Sequence, residues 1–205
     1  AKAYVADIAG SITGLGDEAV TVYGAFSAAS DLNTINALTT GVITITSTNI
    51  TGSSTDVAAV YAANGAAEGV AGLGNEAVTI TDTTITASSL NTLNAHTTGV
   101  VNAVSVTTLT GTTAEINTVY ANAAGKIAGL GNEAVTITDT TIDAALLKIL
   151  DAHTSGIIDA STITTLTGSD ADKATVRSSS GITGLTTPLA TFEIGPASGV
   201  SVSEG

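Results

Sequence analysis

Ala71-Gly-Leu-Gly-Asn-Glu-Ala-Val-Thr-Ile80 recurs unchanged as Ala128-Gly-Leu-Gly-Asn-Glu-Ala-Val-Thr-Ile137. A close relative, Thr13-Gly-Leu-Gly-Asp-Glu-Ala-Val-Thr-Val22, precedes both. Their leucines stand at Leu15, Leu73 and Leu130, so the copies are 58 and 57 residues apart. A fourth copy, Ile182-Thr-Gly-Leu185, follows 55 residues later and then diverges. Self-similarity at a fixed period marks a repeat architecture, in which each unit buries its apolar face against its neighbours.

Each long repeat divides again. Ser88-Ser-Leu-Asn-Thr-Leu-Asn-Ala95 matches Ala114-Glu-Ile-Asn-Thr-Val-Tyr-Ala121. Leu90 to Ile116 is 26 residues and Ile116 to Leu147 is 31, which together restore the 57-residue period. The elementary unit is therefore a short amphipathic helix followed by a Thr-rich, β-branched run, in two alternating lengths. Val78-Thr-Ile-Thr81 and Val135-Thr-Ile-Thr138 read as strands by their alternation. So do residues 19–23, 42–46, 104–107 and 162–166. The helices between them carry Leu32 and Ile35, Val57 and Val60, Leu90 and Leu93, Ile116 and Val119, then Leu147 and Leu150.

Ser30 or Asp31 is expected to cap the first of these helices, Ser53 the second, and Thr112-x-x-Glu115 forms a capping box. Gly41, Gly99 and Gly156 follow helices and read as left-handed C-caps. Helices of about two turns do not persist alone, so packing must hold them.

These features predict an α/β or mainly β solenoid: a right-handed parallel stack of about six or seven coils, with short helices opposite the sheet as in leucine-rich repeats. The alternative is an all-β helix in which the helical segments are loops. One array is expected over residues 1–205, with repeats at about 14–71, 72–128 and 129–183. Residues 184–205 read as a C-terminal cap or tail, because Lys173 breaks the apolar column of Val57 and Ile116, Arg177 follows, and Pro188 interrupts the next strand-like stretch. Residues 1–10 read as the end of a helical segment.

Composition narrows function. Lys plus Arg number 5 against 18 Asp plus Glu, a formal net charge of −13. Nucleic-acid binding depends on cations that displace counterions, so it is not expected. Membrane insertion is not expected either, since no long apolar run is present. Aromatics are 3% of residues and Cys is absent, so neither an aromatic pocket nor a thiolate metal site is expected.

The segments at residues 72–85 (GLGNEAVTITDTTI), 90–99 (LNTLNAHTTG), 116–125 (INTVYANAAG) and 149–168 (ILDAHTSGIIDASTITTLTG) resemble the tandem repeats of very large secreted surface proteins of marine bacteria, cyanobacteria especially. The resemblance covers nearly the whole chain and rests on repeat texture. It implies an extracellular or cell-surface protein, structural or adhesive and not an enzyme.

Several motifs carry chemistry in other settings. Gly72-Leu-Gly-Asn-Glu-Ala77 has the text of a dinucleotide fingerprint, but a β-branched run follows it instead of a helix, so a tight turn is expected. Glu18, Glu76 and Glu133 form a column that could hold calcium; the plainer expectation is that they cap exposed turn amides. His96 and His153 share another column, where Leu38 stands in the first copy; a place near a helix C-terminus is expected for both. No cofactor is expected beyond calcium.

The Thr-x-Thr pairs Thr44/Thr46, Thr79/Thr81, Ser105/Thr107, Thr136/Thr138 and Thr162/Thr164 each flank an apolar residue. Alternation places each pair on one face, so stacked coils would present two files of hydroxyls. Such files suggest binding of ice or another crystalline surface; exposed strand threonine is the plainer reading. The partners expected are other copies, joined head to tail, or neighbouring repeats of a longer chain.

Overall fold

The computed structural model describes residues 16–185. The helical reading of residues 1–10 and the tail reading of residues 186–205, Pro188 included, lie outside the described residues. All the strand pairings are parallel, and short α-helices alternate with the strands. The helices are eight to ten residues long.

Two kinds of unit alternate. The shorter has two strands and a helix: β3 (Ile43–Ile45), β4 (Asn49–Gly52) and α2 (Ser54–Ala62); then β8 (Val101–Asn102), β9 (Thr108–Gly111) and α4 (Thr113–Asn122); then β13 (Ile158–Asp159), β14 (Thr165–Thr167) and α6 (Asp170–Ser178). The longer has three strands and a helix: β5 (Val70–Ala71), β6 (Ala77–Ile80), β7 (Thr84–Thr86) and α3 (Ala87–His96); then β10 (Ile127–Ala128), β11 (Ala134–Ile137), β12 (Thr141–Asp143) and α5 (Ala144–Asp151). Before them come β1 (Val20–Val22), β2 (Phe26–Ala28) and α1 (Ala29–Asn36), and β15 (Ile182–Thr183) follows.

The extra strand of the longer unit makes the sheets step sideways. The last strand of a shorter unit pairs with the middle strand of the next longer one, as β4 with β6 and β9 with β11. That middle strand then pairs with the first strand of the following unit, as β6 with β8 and β11 with β13. The last strand of each longer unit starts a new sheet. The orders are β1-β3-β5, β2-β4-β6-β8-β10, β7-β9-β11-β13-β15 and β12-β14.

Register is set by the inward rows. Ile50, Val78, Val101 and Ile127 stand side by side in one sheet, and Ile85, Leu109, Val135, Ile158 and Ile182 in another; all are buried. A one-residue slip would turn either row to solvent, which pins the pairing. Against these rows lie the paired apolar residues of the helices. Leu90, Leu93, Ile116, Val119, Leu147 and Leu150 are all buried, as the spacing predicts. Consecutive helices pack on one another along the stack.

The helical segments are α-helices and not loops, so the all-β alternative does not hold. Caps were partly legible. Ser53 and Thr112 cap their helices, the latter in a full box with Glu115. The first helix begins earlier than expected: Ala28 is its N-cap with no side-chain bond, and Ser30 and Asp31 lie inside it. Residues 104–107 and 162–164 are turn and irregular chain; the strands there begin at Thr108 and Thr165.

Gly41, Gly99 and Gly156 are not left-handed C-caps, since none has positive φ. Their requirement is space. A Cβ on Gly99 would overlap the Glu76 carbonyl, and one on Gly156 would overlap the Glu133 carbonyl. Within the turn itself Gly72 at 90° and Gly74 at 130° do have positive φ, as the tight-turn reading expects. At the far end, Lys173 interrupts the apolar column as anticipated; it is half-buried and lies 3.6 Å from Asp170.

Candidate functional site

The Thr-x-Thr pairs point where alternation puts them. Thr44, Thr46, Thr81, Thr107, Thr138, Thr162 and Thr164 are exposed, and Thr79, Ser105 and Thr136 are half-buried. The residues between them, Ile45, Ile80, Val106, Ile137 and Ile163, are buried.

The register does not assemble the five pairs into two files. Thr44 stands beside Thr21 and Ala71, Thr79 beside Thr51 and Asn102, and Thr136 beside Thr110 and Asp159. The sideways step of the sheets puts successive pairs in different columns. What the register does align is Thr86, Thr110 and Thr136, continued by Asp159 and Thr183.

Many hydroxyls are already used within the stack. Thr46 donates to the Val22 carbonyl at 3.0 Å, Thr107 to Thr83 at 3.0 Å and Thr164 to Thr140 at 3.1 Å. Each acceptor is 24 residues earlier, one unit back in the stack. Thr98 reaches the Gly74 carbonyl at 3.2 Å by the same step. Each of these carbonyls also accepts the backbone N–H of the same threonine, so the hydroxyl adds a second bond that pins one unit to the next.

The densest polar arrangement occurs twice, where a shorter unit meets a longer one. At the first junction the Tyr61 hydroxyl donates to Glu76 Oε1. Glu76 Oε2 accepts the backbone N–H of Gly74 at 2.8 Å and of Asn75 at 3.1 Å. Thr97 Oγ1 donates to the Glu76 carbonyl at 2.6 Å and accepts the Gly99 N–H at 3.0 Å. The Tyr61 ring stacks on His96, with centroids 5.1 Å apart and planes 8° apart.

The second junction repeats this with Tyr120, Glu133, Gly131, Asn132, Thr154 and His153, the rings 5.2 Å apart. Glu76 and Glu133 are 3% and 1% exposed, which is tolerable because both carboxyl oxygens have donors. The glutamates thus bind turn amides, as the plainer reading expected. The histidines sit at helix ends: His96 closes α3, and His153 follows α5.

The sequence reading overlooked the tyrosines. Their signal was present, since a Tyr follows the second apolar residue of α2 and α4 and of no other helix. It also overlooked Asp82 and Asp139. Asp82 accepts the Ser54 N–H and Asp139 the Thr113 N–H, each at 2.6 Å, so each caps the helix of the preceding unit. Among the described residues, no group of three or more His, Asp or Glu is placed to hold a metal ion.

Burial raises both tyrosine hydroxyls well above their ordinary pKa near 10, and the adjacent glutamates push the same way. A group with a raised folded pKa binds its proton more tightly in the folded state. Its contribution is therefore complete below the unfolded value of about 10 and is lost as pH rises through the folded value. The urea midpoint is expected to fall steeply above pH 10, and to fall less in Tyr120→Phe. Equal slopes in the two proteins would show that Tyr120 does not govern the alkaline transition.

Comparison with protein-family models, with curated proteins and with solved structures finds no match to this chain.

Proposed function

We propose that the chain is a non-catalytic structural repeat unit of an extracellular surface protein or filament, assembling with copies of itself or with neighbouring repeats of a longer chain. In this reading the parallel sheets and helices form a right-handed solenoid of six or seven coils, akin in plan to leucine-rich repeats. The observation that carries it is where the polar groups go. Threonine hydroxyls, the buried glutamates and the capping aspartates bond from one unit to the next instead of converging on a cleft. Strong acidity suits such a unit, because repulsion keeps it soluble until specific contacts form. Calcium could screen that charge.

A second reading, a surface that binds ice or another crystal, is favoured by the aligned Thr86, Thr110 and Thr136. Two measurements on the purified chain decide. The structural reading expects concentration-dependent growth in light scattering, with filaments under the electron microscope, and no thermal hysteresis. A monomer that shapes ice crystals, losing this in Thr110→Tyr/Thr136→Tyr, would replace it with the second reading.

A further inference from the structure

Among the described residues, the unpaired edges at the two ends are of the kinds that pair at a junction the chain already contains twice, with the first-strand place on β13 already filled by β15. At the internal junctions β4 pairs with β6 and β9 with β11, in one register. Ile50 faces Val78 and Thr51 faces Thr79; Leu109 faces Val135 and Thr110 faces Thr136. The strand β14 belongs to Thr165-Leu-Thr-Gly168, identical to Thr108-Leu-Thr-Gly111 around β9. It pairs with β12 on one side, and among the described residues nothing pairs on the other.

At the opposite end β1 lies in Ala19-Val-Thr-Val22, the counterpart of Ala77-Val-Thr-Ile80 and Ala134-Val-Thr-Ile137. It pairs with β3 as β6 pairs with β8. Its other side, where β6 takes β4, has no strand among the described residues.

Charge follows the same logic. In α2 and α4 the residue after the second core valine is the tyrosine that donates to the glutamate of the next unit. In α6 that position, after Val176, is Arg177, which is exposed. Glu18 stands two residues before Val20, as Glu76 does before Val78 and Glu133 before Val135. Lys148, Lys173 and Arg177 are three of the five cations in the chain, and all lie in α5 and α6. Asp17, Glu18 and Asp31 lie at the other end. Lys148 and Lys173 are paired with Asp172 and Asp170, so among the described residues Arg177 is the cation of these helices left to face Glu18, a pairing that the head-to-tail orientation alone permits.

We propose that β14 and Arg177 of one copy receive β1 and Glu18 of the next, with Thr167 beside Thr21 and Leu166 beside Val20. The inference rests on the self-assembling reading above and gives it an interface and a register. A contact of this kind is heterologous and leaves both ends free, so it propagates.

The chain has no Cys, so introduced thiols are unambiguous. Thr21→Cys protein mixed with Thr167→Cys protein is expected to give a linked dimer on oxidation or with a short bis-maleimide. Thr34→Cys, on the exposed side of α1, mixed with Thr167→Cys is expected to give none. Arg177→Glu should weaken association about tenfold or more, the effect of losing roughly one close charge pair, and adding Glu18→Arg should restore it. Association without the Thr21–Thr167 link, or with equal linking from Thr34, overturns this interface while leaving self-assembly intact. A monomer at every concentration, whether its edges stay open or are covered by residues 1–15 and 186–205 of the same chain, overturns both.

Discussion

Glu133→Ala is expected to lower unfolding stability by about 3–5 kcal/mol, the usual loss when one member of a buried charged network is removed. The side chain is 1% exposed and holds three donors: the Tyr120 hydroxyl and the N–H groups of Gly131 and Asn132. Alanine fills none of these roles. The two amides belong to a turn with Gly129 at φ 91° and Gly131 at φ 129°, so the carboxyl also selects one path among the many open to these glycines. Tyr120→Phe leaves the amide bonds intact and removes one donor, at about 1.5–3 kcal/mol. Urea unfolding followed by far-UV circular dichroism gives both values. A loss below 1 kcal/mol in Glu133→Ala would show that water replaces the carboxyl and that the turn is held by other means.

Leu147→Ala should be comparably severe, at about 2–5 kcal/mol, because the residue is fully buried and its cavity would lie between packed helices and strands. The neighbouring Leu146 supplies the control. It is 44% exposed on the same helix, and Leu146→Ala should cost well under 1 kcal/mol. Circular dichroism melts of the pair test the helix face directly. Similar losses at 146 and 147 would mean that α5 presents a different face to the core.

These two sites show what the sequence could and could not disclose. The leucine column was legible because identical spacing in successive helices leaves one face free to be apolar. The strand pattern was legible for the same reason, since β-branched residues alternate within each run. The step of the sheets was not. It depends on which strand of one unit meets which strand of the next, and the extra strand β7 looks like a plain continuation of the Thr-rich run after β6. That omission made the Thr-x-Thr pairs look like continuous files. The role of Gly99 and Gly156 was also hidden: a glycine after a helix suggests a cap, whereas here it admits a carbonyl from the preceding turn. Glu76 and Glu133 were recognisable as turn ligands, but Tyr61 and Tyr120 were not recognisable as their partners, because the contact spans 15 and 13 residues across a unit boundary.

The alternation of two- and three-strand units constrains how a gene for such a chain can lengthen. A duplication that copied one unit would set two of a kind side by side. Two three-strand units in succession would offer β6-type strands to one another, with no β4-type strand between them, and the Tyr-to-Glu contact would lose its donor. A copy of 57 or 58 residues carries both kinds and regenerates every boundary already present. The identity of residues 71–80 and 128–137 is what recent copying of that larger block would leave behind. Growth and shrinkage of the array by recombination should then occur in steps of the pair, with single-unit steps removed because their products cannot close their sheets.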